Sequence, residues 1–446
     1  MKMIFPSEEF SARRRIVMDE LKSTACALMQ GAGPVMGFEV FRQTNEFYYL
    51  TGISIPQAYL LIDGRSNQSV LYLPHRDPHL ACEGDVLGAE DVERVKAISG
   101  VDMVYGLECL SDHLAGATTI FTPINPAEGR LACQDTLRYA AKVKAADPWD
   151  SAPSREARLV DLIKERCPAA EVQDLSPLLD RMRLIKSPRE VDVMRRAGVL
   201  CARAVVEAMR ATRPGVFEYQ LGAVADYVYR VNGVLWEGYR PIIAGGENIW
   251  FIHYYANDHC LCDGDLVLMD YAPDVSNYTS DIGRMWPVNG RYSAVQRELY
   301  GFVVEYHKAV ISRLRPGVLP AQVLSEAASI MQPVIEMTTF SKPIYEEAAH
   351  RMLDFKGHLS HPVGMAVHDV GKYFDVPLEP GLVISIDPQM WVPEERLYIR
   401  VEDTIVITAD GVEVLTSDAP LELDDIEAVM AEGGLIQEFP MKVCDK

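Results

Sequence analysis

The tightest constraint in this sequence is a carboxylate at the end of an apolar run. Leu266-Val267-Leu268-Met269 reads as a buried strand and ends on Asp270. An ionised carboxylate taken out of water must be paired, bound to a cation, or protonated. Asp281 follows eleven positions later, and Asp274, Asn277 and Ser280 mark a turn between the two, so the aspartates can face one another across a hairpin. Aspartates are common in turns for their own local hydrogen bonding, so this pair gains weight only through recurrence. Gly381-Leu382-Val383-Ile384-Ser385-Ile386 leads into Asp387 as Gly264-Asp265-Leu266-Val267-Leu268-Met269 leads into Asp270, each carboxylate six places after a glycine. Glu402 lies on the next alternating stretch, Tyr398-Ile399-Arg400-Val401-Glu402, which runs on through Thr404 to Ile407. Two such hairpins, each offering two carboxylates to a common centre, imply duplicated halves around one site.

Between the halves lies Ser360-His361-Pro362-Val363-Gly364-Met365-Ala366-Val367-His368-Asp369-Val370-Gly371, with His350 and His358 shortly before it. Four carboxylates and one imidazole suit two divalent cations, the requirement of a hydrolytic site whose metals lie about 3.5–4 Å apart and acidify a water. The oxygen-dominated donor set favours manganese, with cobalt, iron or zinc as alternatives, because zinc leans more on nitrogen and sulfur.

These residues resemble the creatinase and methionine-aminopeptidase superfamily with the pita-bread fold, and most closely its Xaa-Pro aminopeptidases (aminopeptidase P) and prolidases. The resemblance implies a ligand set of Asp270, Asp281, His361, Asp387 and Glu402. It extends to Gly245-Gly246-Glu247-Asn248 leading to His253, to the Val367–Gly371 string, and to Arg400 two residues before Glu402. Phe41-Arg42-Gln43-Thr44-Asn45-Glu46-Phe47-Tyr48-Tyr49-Leu50-Thr51-Gly52 is similar to the start of the aminopeptidase P amino-terminal domain. The implied activity is hydrolysis of the amino-terminal Xaa-Pro bond, with Asp387 moving the proton and His253 and His368 flanking the tetrahedral intermediate. Arg400, alternating with Glu402, would hold a ligand carboxylate. Tyr254, Tyr255 and Trp391 are candidates for a wall against a proline ring.

The chain departs from the family pattern at four positions. Asp387 stands where glutamate is usual, Gly283 where a threonine follows the second aspartate, Trp391 where tyrosine is frequent, and Gly357 where histidine is common. These departures bear on turnover and substrate preference more than on metal binding. They keep two alternatives open: a prolidase confined to Xaa-Pro dipeptides, and a metal-binding relative acting on another small amide or ester.

Composition narrows the partners. A formal charge of −21 argues against nucleic acid or an anionic membrane, both of which bind through basic surface. No apolar run is long enough to span a bilayer, and the amino terminus lacks a signal-peptide core, so a cytoplasmic protein is expected. The expected partners are a peptide with proline second and further copies of this chain, as a homodimer or homotetramer. Nine cysteines without framework spacing suggest reduced thiols, and Cys260-Leu261-Cys262 lacks the second pair that a metal site of that kind needs.

Residues 1–175 are expected to form an α/β domain with a mixed sheet: a helix over Ser7 to Leu28, and strands over Val35 to Val40, Ala58 to Ile62 and Ser69 to Leu73. His75, Arg76, Asp77 and His79 read there as surface loop residues. Residues 176–446 are expected to form the α+β catalytic domain, the pita-bread domain that the resemblance implies. Ser187-Pro188-Arg189-Glu190 is a capping box opening a helix to about Arg210, a second helix covers Glu218 to Val231, Ser293 caps a long amphipathic helix, and a fourth spans about Pro320 to Thr338.

Overall fold

The computed structural model describes residues 4–21, 23–35, 37–78 and 86–438. The chain divides into two compact units, Met1–Arg183 and Leu184–Lys446.

The first unit is built on a mixed sheet of six strands: β1 Ala25–Gln30, β2 Tyr59–Asp63, β3 Gln68–Leu73, β4 Met103–Gly106, β5 Thr119–Thr122 and β6 Glu171–Asp174, in the order β4-β3-β2-β1-β5-β6. β1 pairs antiparallel with β2 and parallel with β5, so it sits at the middle of the sheet. Its apolar side chains Cys26 and Leu28 pack with Leu61, Tyr72 and Ile120, and with Leu159 and Ile163 of the helix Arg155–Arg166. This overturns the expectation of one helix from Ser7 to Leu28. The helix stops at Glu20, and the short run Ala25–Gln30, too brief to show a period, is claimed by two strand partners. No strand forms over residues 35 and 37–40 either; Val35, Phe38 and Val40 are exposed, and Gly37 turns the chain at φ 75°. His75 is exposed and faces Glu90 and Glu108, as a surface residue should; His79, Cys82 and Cys444 lie outside the described residues.

The second unit holds an antiparallel sheet of β8 Ile242–Gly245, β9 Leu266–Asp270, β11 Ile282–Pro287, β12 Val383–Ile386, β15 Glu402–Ile407 and β16 Val412–Val414. Two short ribbons accompany it: β7 Trp236–Glu237 with β10 Pro273–Asp274, and β13 Gln389–Val392 with β14 Leu397–Arg400. The order β12-β15-β11-β9-β8 puts the two repeated hairpin units side by side. β9 and β11 pair over five residues and β12 and β15 over four, but β11 and β15 share only Ile282↔Asp403 and Gly283↔Glu402. That two-pair seam is where the duplicated halves meet.

Helices Pro188–Ala211, Glu218–Val231, Ala294–Ile311 and Pro320–Met337 flank the sheet elements in sequence as expected, and the capping boxes at Ser187–Glu190 and Ser293–Gln296 are both formed. Each box satisfies amide groups that a helix start otherwise leaves bare. The helix Ala294–Ile311 buries Leu299, Phe302, Val303, Tyr306 and Val310 along one face. Among the described residues no helix is long and apolar enough to cross a membrane. The expectation that every thiol is reduced fails at Cys260, which is disulfide-bonded, while six other described cysteines are free. Spacing alone carries no information on such a pairing.

Candidate metal centre

The seam brings the acidic residues together. Asp270 ends β9, Asp281 precedes β11, Asp387 follows β12 and Glu402 opens β15. Register places Gly283 opposite both Asp270 and Glu402, so those two carboxylates flank one glycine on neighbouring strands. A Cβ on Gly283 would stand 3.0 Å from Arg400 Nε and from Glu402 Cβ. The space where a threonine side chain was expected by analogy is therefore filled by the guanidinium of Arg400.

Asp270, Asp281 and Glu402 are buried, and the Asp387 side chain is 6% exposed. Arg400 is buried among them. Its Nη2 donates to Asp270 Oδ2 and, at 2.6 Å, to Glu402 Oε2, while Nη1 lies 3.7 Å from Asp387 Oδ2. It belongs to β14 and Glu402 to β15, so the two are not on one strand, yet the strand change at Val401 keeps both side chains inward. A solvated surface pair is ruled out by that burial.

One guanidinium cannot balance four ionised carboxylates. Burial, with the charge of Asp270 next, pushes Asp281 well above the usual carboxylate range; burial does the same to Glu402 and raises Asp387, with Arg400 opposing in both. The Tyr239 hydroxyl lies 2.5 Å from Asp270 Oδ1 and 2.8 Å from Asp281 Oδ1, but it has a single proton to donate. Asp387 Oδ1 is buried with no hydrogen-bond partner. Each observation marks negative charge in want of a cation, and these oxygens suit a divalent one.

The imidazole fits the same purpose. His361 Nδ1 lies 3.1 Å from the carbonyl of Pro362, which can only accept, so Nδ1 carries the proton. Nε2 is left with its lone pair 3.4 Å from Asp281 Oδ2, and burial lowers the ring's pKa, which favours that neutral form. Asp281, His361 and Glu402 present ligand atoms within 4.8 Å of one another. Asp270 and Asp387 stand outside that trio, tied to it through Arg400.

Of the remaining predicted residues, His368 lies with its ring 4.1 Å from that of His361, and His253 is 6.1 Å beyond His368, with Tyr255 stacked on His253 at 6.1 Å. A row of rings thus leads away from the carboxylates. Tyr254 does not join it; its hydroxyl turns to Asp258. Trp391 packs on Tyr398 with ring centroids 4.3 Å apart. The histidine loop is anchored by a buried Lys186–Asp369 pair at 3.1 Å.

Four supporting residues escaped the sequence reading. Tyr239 touches both aspartates of the first hairpin; Ser385 donates to Glu402 Oε1 at 2.5 Å; Thr404 Oγ1 accepts from the Asp281 amide at 2.7 Å; and Gln389 Nε2 donates to Asp387 Oδ2 at 2.5 Å. Of these, Ser385 and Gln389, two places before and after Asp387, were open to inference from spacing. His259, Cys262 and Asp265 also converge on one point, in the loop where the cysteine spacing had been set aside.

Comparison with known proteins bears on the family. Residues 192–409 match the model of metallopeptidase family M24, and residues 10–120 that of the aminopeptidase P amino-terminal domain. The chain is 33% identical over 448 residues to the Xaa-Pro aminopeptidase of Escherichia coli (strain K12), covering 95% of this chain and 97% of that one. The solved E. coli aminopeptidase P with the inhibitor Pro-Leu superposes with a TM-score of 0.77 at 29% identity, over 96% of this chain and 98% of the other. A zinc-substituted form of that enzyme in complex with product matches with a TM-score of 0.75, at the same identity and coverage.

Proposed function

The chain belongs to the Xaa-Pro aminopeptidase (aminopeptidase P) family of M24 metallopeptidases, and we propose that it removes the first residue from peptides whose second residue is proline. The observation that carries this reading is the surplus of buried carboxylate around a single arginine, beside an imidazole whose free nitrogen faces them. Asp270, Asp281, His361, Asp387 and Glu402 would hold two divalent ions, with manganese favoured by the oxygen-rich set. When bound, the ions supply Lewis acidity, which makes a water nucleophilic near neutral pH and polarises the scissile carbonyl.

The chain's own groups do the rest. Asp387, held through one oxygen by Gln389, has its other oxygen free to take the proton of the attacking water and pass it to the leaving proline nitrogen. His368 and His253 offer N–H donors beside the carbonyl as negative charge grows on its oxygen. Arg400 orients Asp270 and Glu402 and offsets part of their charge. Two or four copies of the chain are proposed to associate, which sedimentation velocity would read.

The deciding experiment presents chelator-stripped protein, reloaded with manganese, with Xaa-Pro, Xaa-Pro-Yaa and Xaa-Ala-Yaa peptides and reads products by mass. Cleavage of the proline tripeptide but not its alanine counterpart is expected. Cleavage of the dipeptide alone would make the protein a prolidase. No cleavage with metal bound would overturn the peptidase reading and favour another amide or ester, a reading that the short Asp387 supports.

A further inference from the structure

Beside the carboxylates lies a cavity of about 420 Å³ that the reaction as described leaves unused. Tyr306, Val310 and Leu324, all buried, line it from the helices Ala294–Ile311 and Pro320–Met337; Met352, Phe355 and Asp387 belong to it as well, and so does Trp391, which the sequence suggests for the proline ring instead. We propose that this cavity receives the side chain of the substrate's first residue, so that the enzyme selects peptides beginning with a large apolar residue. The proposal rests on the Xaa-Pro reading above and adds the substrate class to it.

Four features carry it. Its size lies within the roughly 300–1,000 Å³ of small-molecule sites, and its lining is largely apolar, as those sites are. Its inner wall is made of buried helix side chains, while Arg351 and Phe355 at its rim are half exposed, so a side chain can enter from the solvent side and is stopped within. The cavity also reaches Asp387, the proton-moving group, but not His253 or His368, which flank the carbonyl. A first residue bound there keeps its own carbonyl between the two flanks. Finally, Arg351 lines the cavity with its Nη2 3.4 Å from the Trp391 carbonyl and half its side chain exposed; its partner Glu347, 3.7 Å from Nη1, is not part of the lining, so the guanidinium is the charge that a cationic first residue would meet at the rim. An aspartate at 387, about one bond shorter than glutamate, leaves more room at that end.

The test uses the full metal-loaded chain and a series Xaa-Pro-Ala with Gly, Ala, Leu, Phe and Lys first. kcat/KM should rise on the order of tenfold or more from Ala to Leu or Phe, the scale on which an apolar pocket separates substrates differing by a methylene or more, and Lys should fall below Ala. Ala348→Met, which fills the cavity from the helix Pro343–Asp354, should lower the Phe-to-Ala ratio about tenfold. Phe355→Ala removes a half-exposed wall and should lower the same ratio without threatening the fold. A flat first-residue profile, or variants that shift preference for the third residue instead, would overturn the cavity assignment and leave the Xaa-Pro activity standing. Failure to cleave any proline-second peptide with metal bound would overturn both.

Discussion

Each unit of this molecule buries an arginine among carboxylates, and the two uses differ. In the first unit Arg183 Nη1 lies 2.6 Å from Glu128 Oε2 and 3.4 Å from Glu46 Oε1. One cation meets two acids there, and a single proton closes the account: burial pushes Glu46 up to about 8, so it can stay protonated. In the second unit Arg400 meets Asp270, Glu402 and Asp387, with Asp281 close by and a histidine alongside. A proton or two cannot settle that surplus without leaving lone pairs buried and unused. The first arrangement balances as a structural pair, and the second keeps a surplus that the proposed cations would meet. Counting uncompensated charge, rather than noting that acids are buried, tells them apart.

The sharpest way to break this contrast is to remove each arginine. Arg183→Met should cost about 3–5 kcal/mol in chemical denaturation, the scale for breaking a buried ion pair, and metal should not restore it. Arg400→Met should destabilise the chelated protein comparably, yet regain much of the loss on manganese loading, because added cations take over its electrostatic role. Equal responses of both variants to metal would dissolve the distinction. His368→Ala leaves the carboxylates intact and should keep its metal, measured by plasma emission, while kcat drops roughly 10²–10³-fold. Loss of metal with activity would make His368 a ligand instead. Chelation of the unaltered chain should lower stability by about 2.7 kcal/mol for each site that had been held at a hundred times its Kd. An unchanged melting temperature would count against a cation site.

The last prediction concerns the first unit and acid–base balance. An unfolded Glu46 ionises near 4.5, but the folded one holds its proton to about 8, so folding stability declines as pH rises through that window. Glu46→Gln cannot ionise and should lack that slope, gaining on the parent chain steadily as pH rises from about 5 to 8. Parallel stability curves for the two would mean that Glu46 is ionised in the native protein.

Much of the site could be read in advance because it is local. A glycine, an apolar run and then an acid, found twice, is a pattern in sequence, and so are serine caps with a Glu or Gln three places on. What escaped was decided by partners distant in the chain. The run Ala25–Gln30 became a strand because β2 and β5 stand on either side of it, and nothing within those six residues says so. Tyr239 reaches Asp270 and Asp281 from 31 and 42 residues away. Gly283 looked like a lost hydroxyl and is instead the room that Arg400 occupies. Cys260 gave no sign of its disulfide.

The seam between β11 and β15 has a consequence for how the protein survives between synthesis and activation. The proposed ligands of one hairpin lie on one side of it and those of the other lie across it, joined by only two residue pairs. A cation there would work as a clasp on the weakest line of the sheet. Newly made chain awaiting its metal should therefore breathe along that line, and amide deuterium uptake at Gly283 and Asp403 should be fast before loading and slow afterwards, while the interior of β9 stays protected throughout.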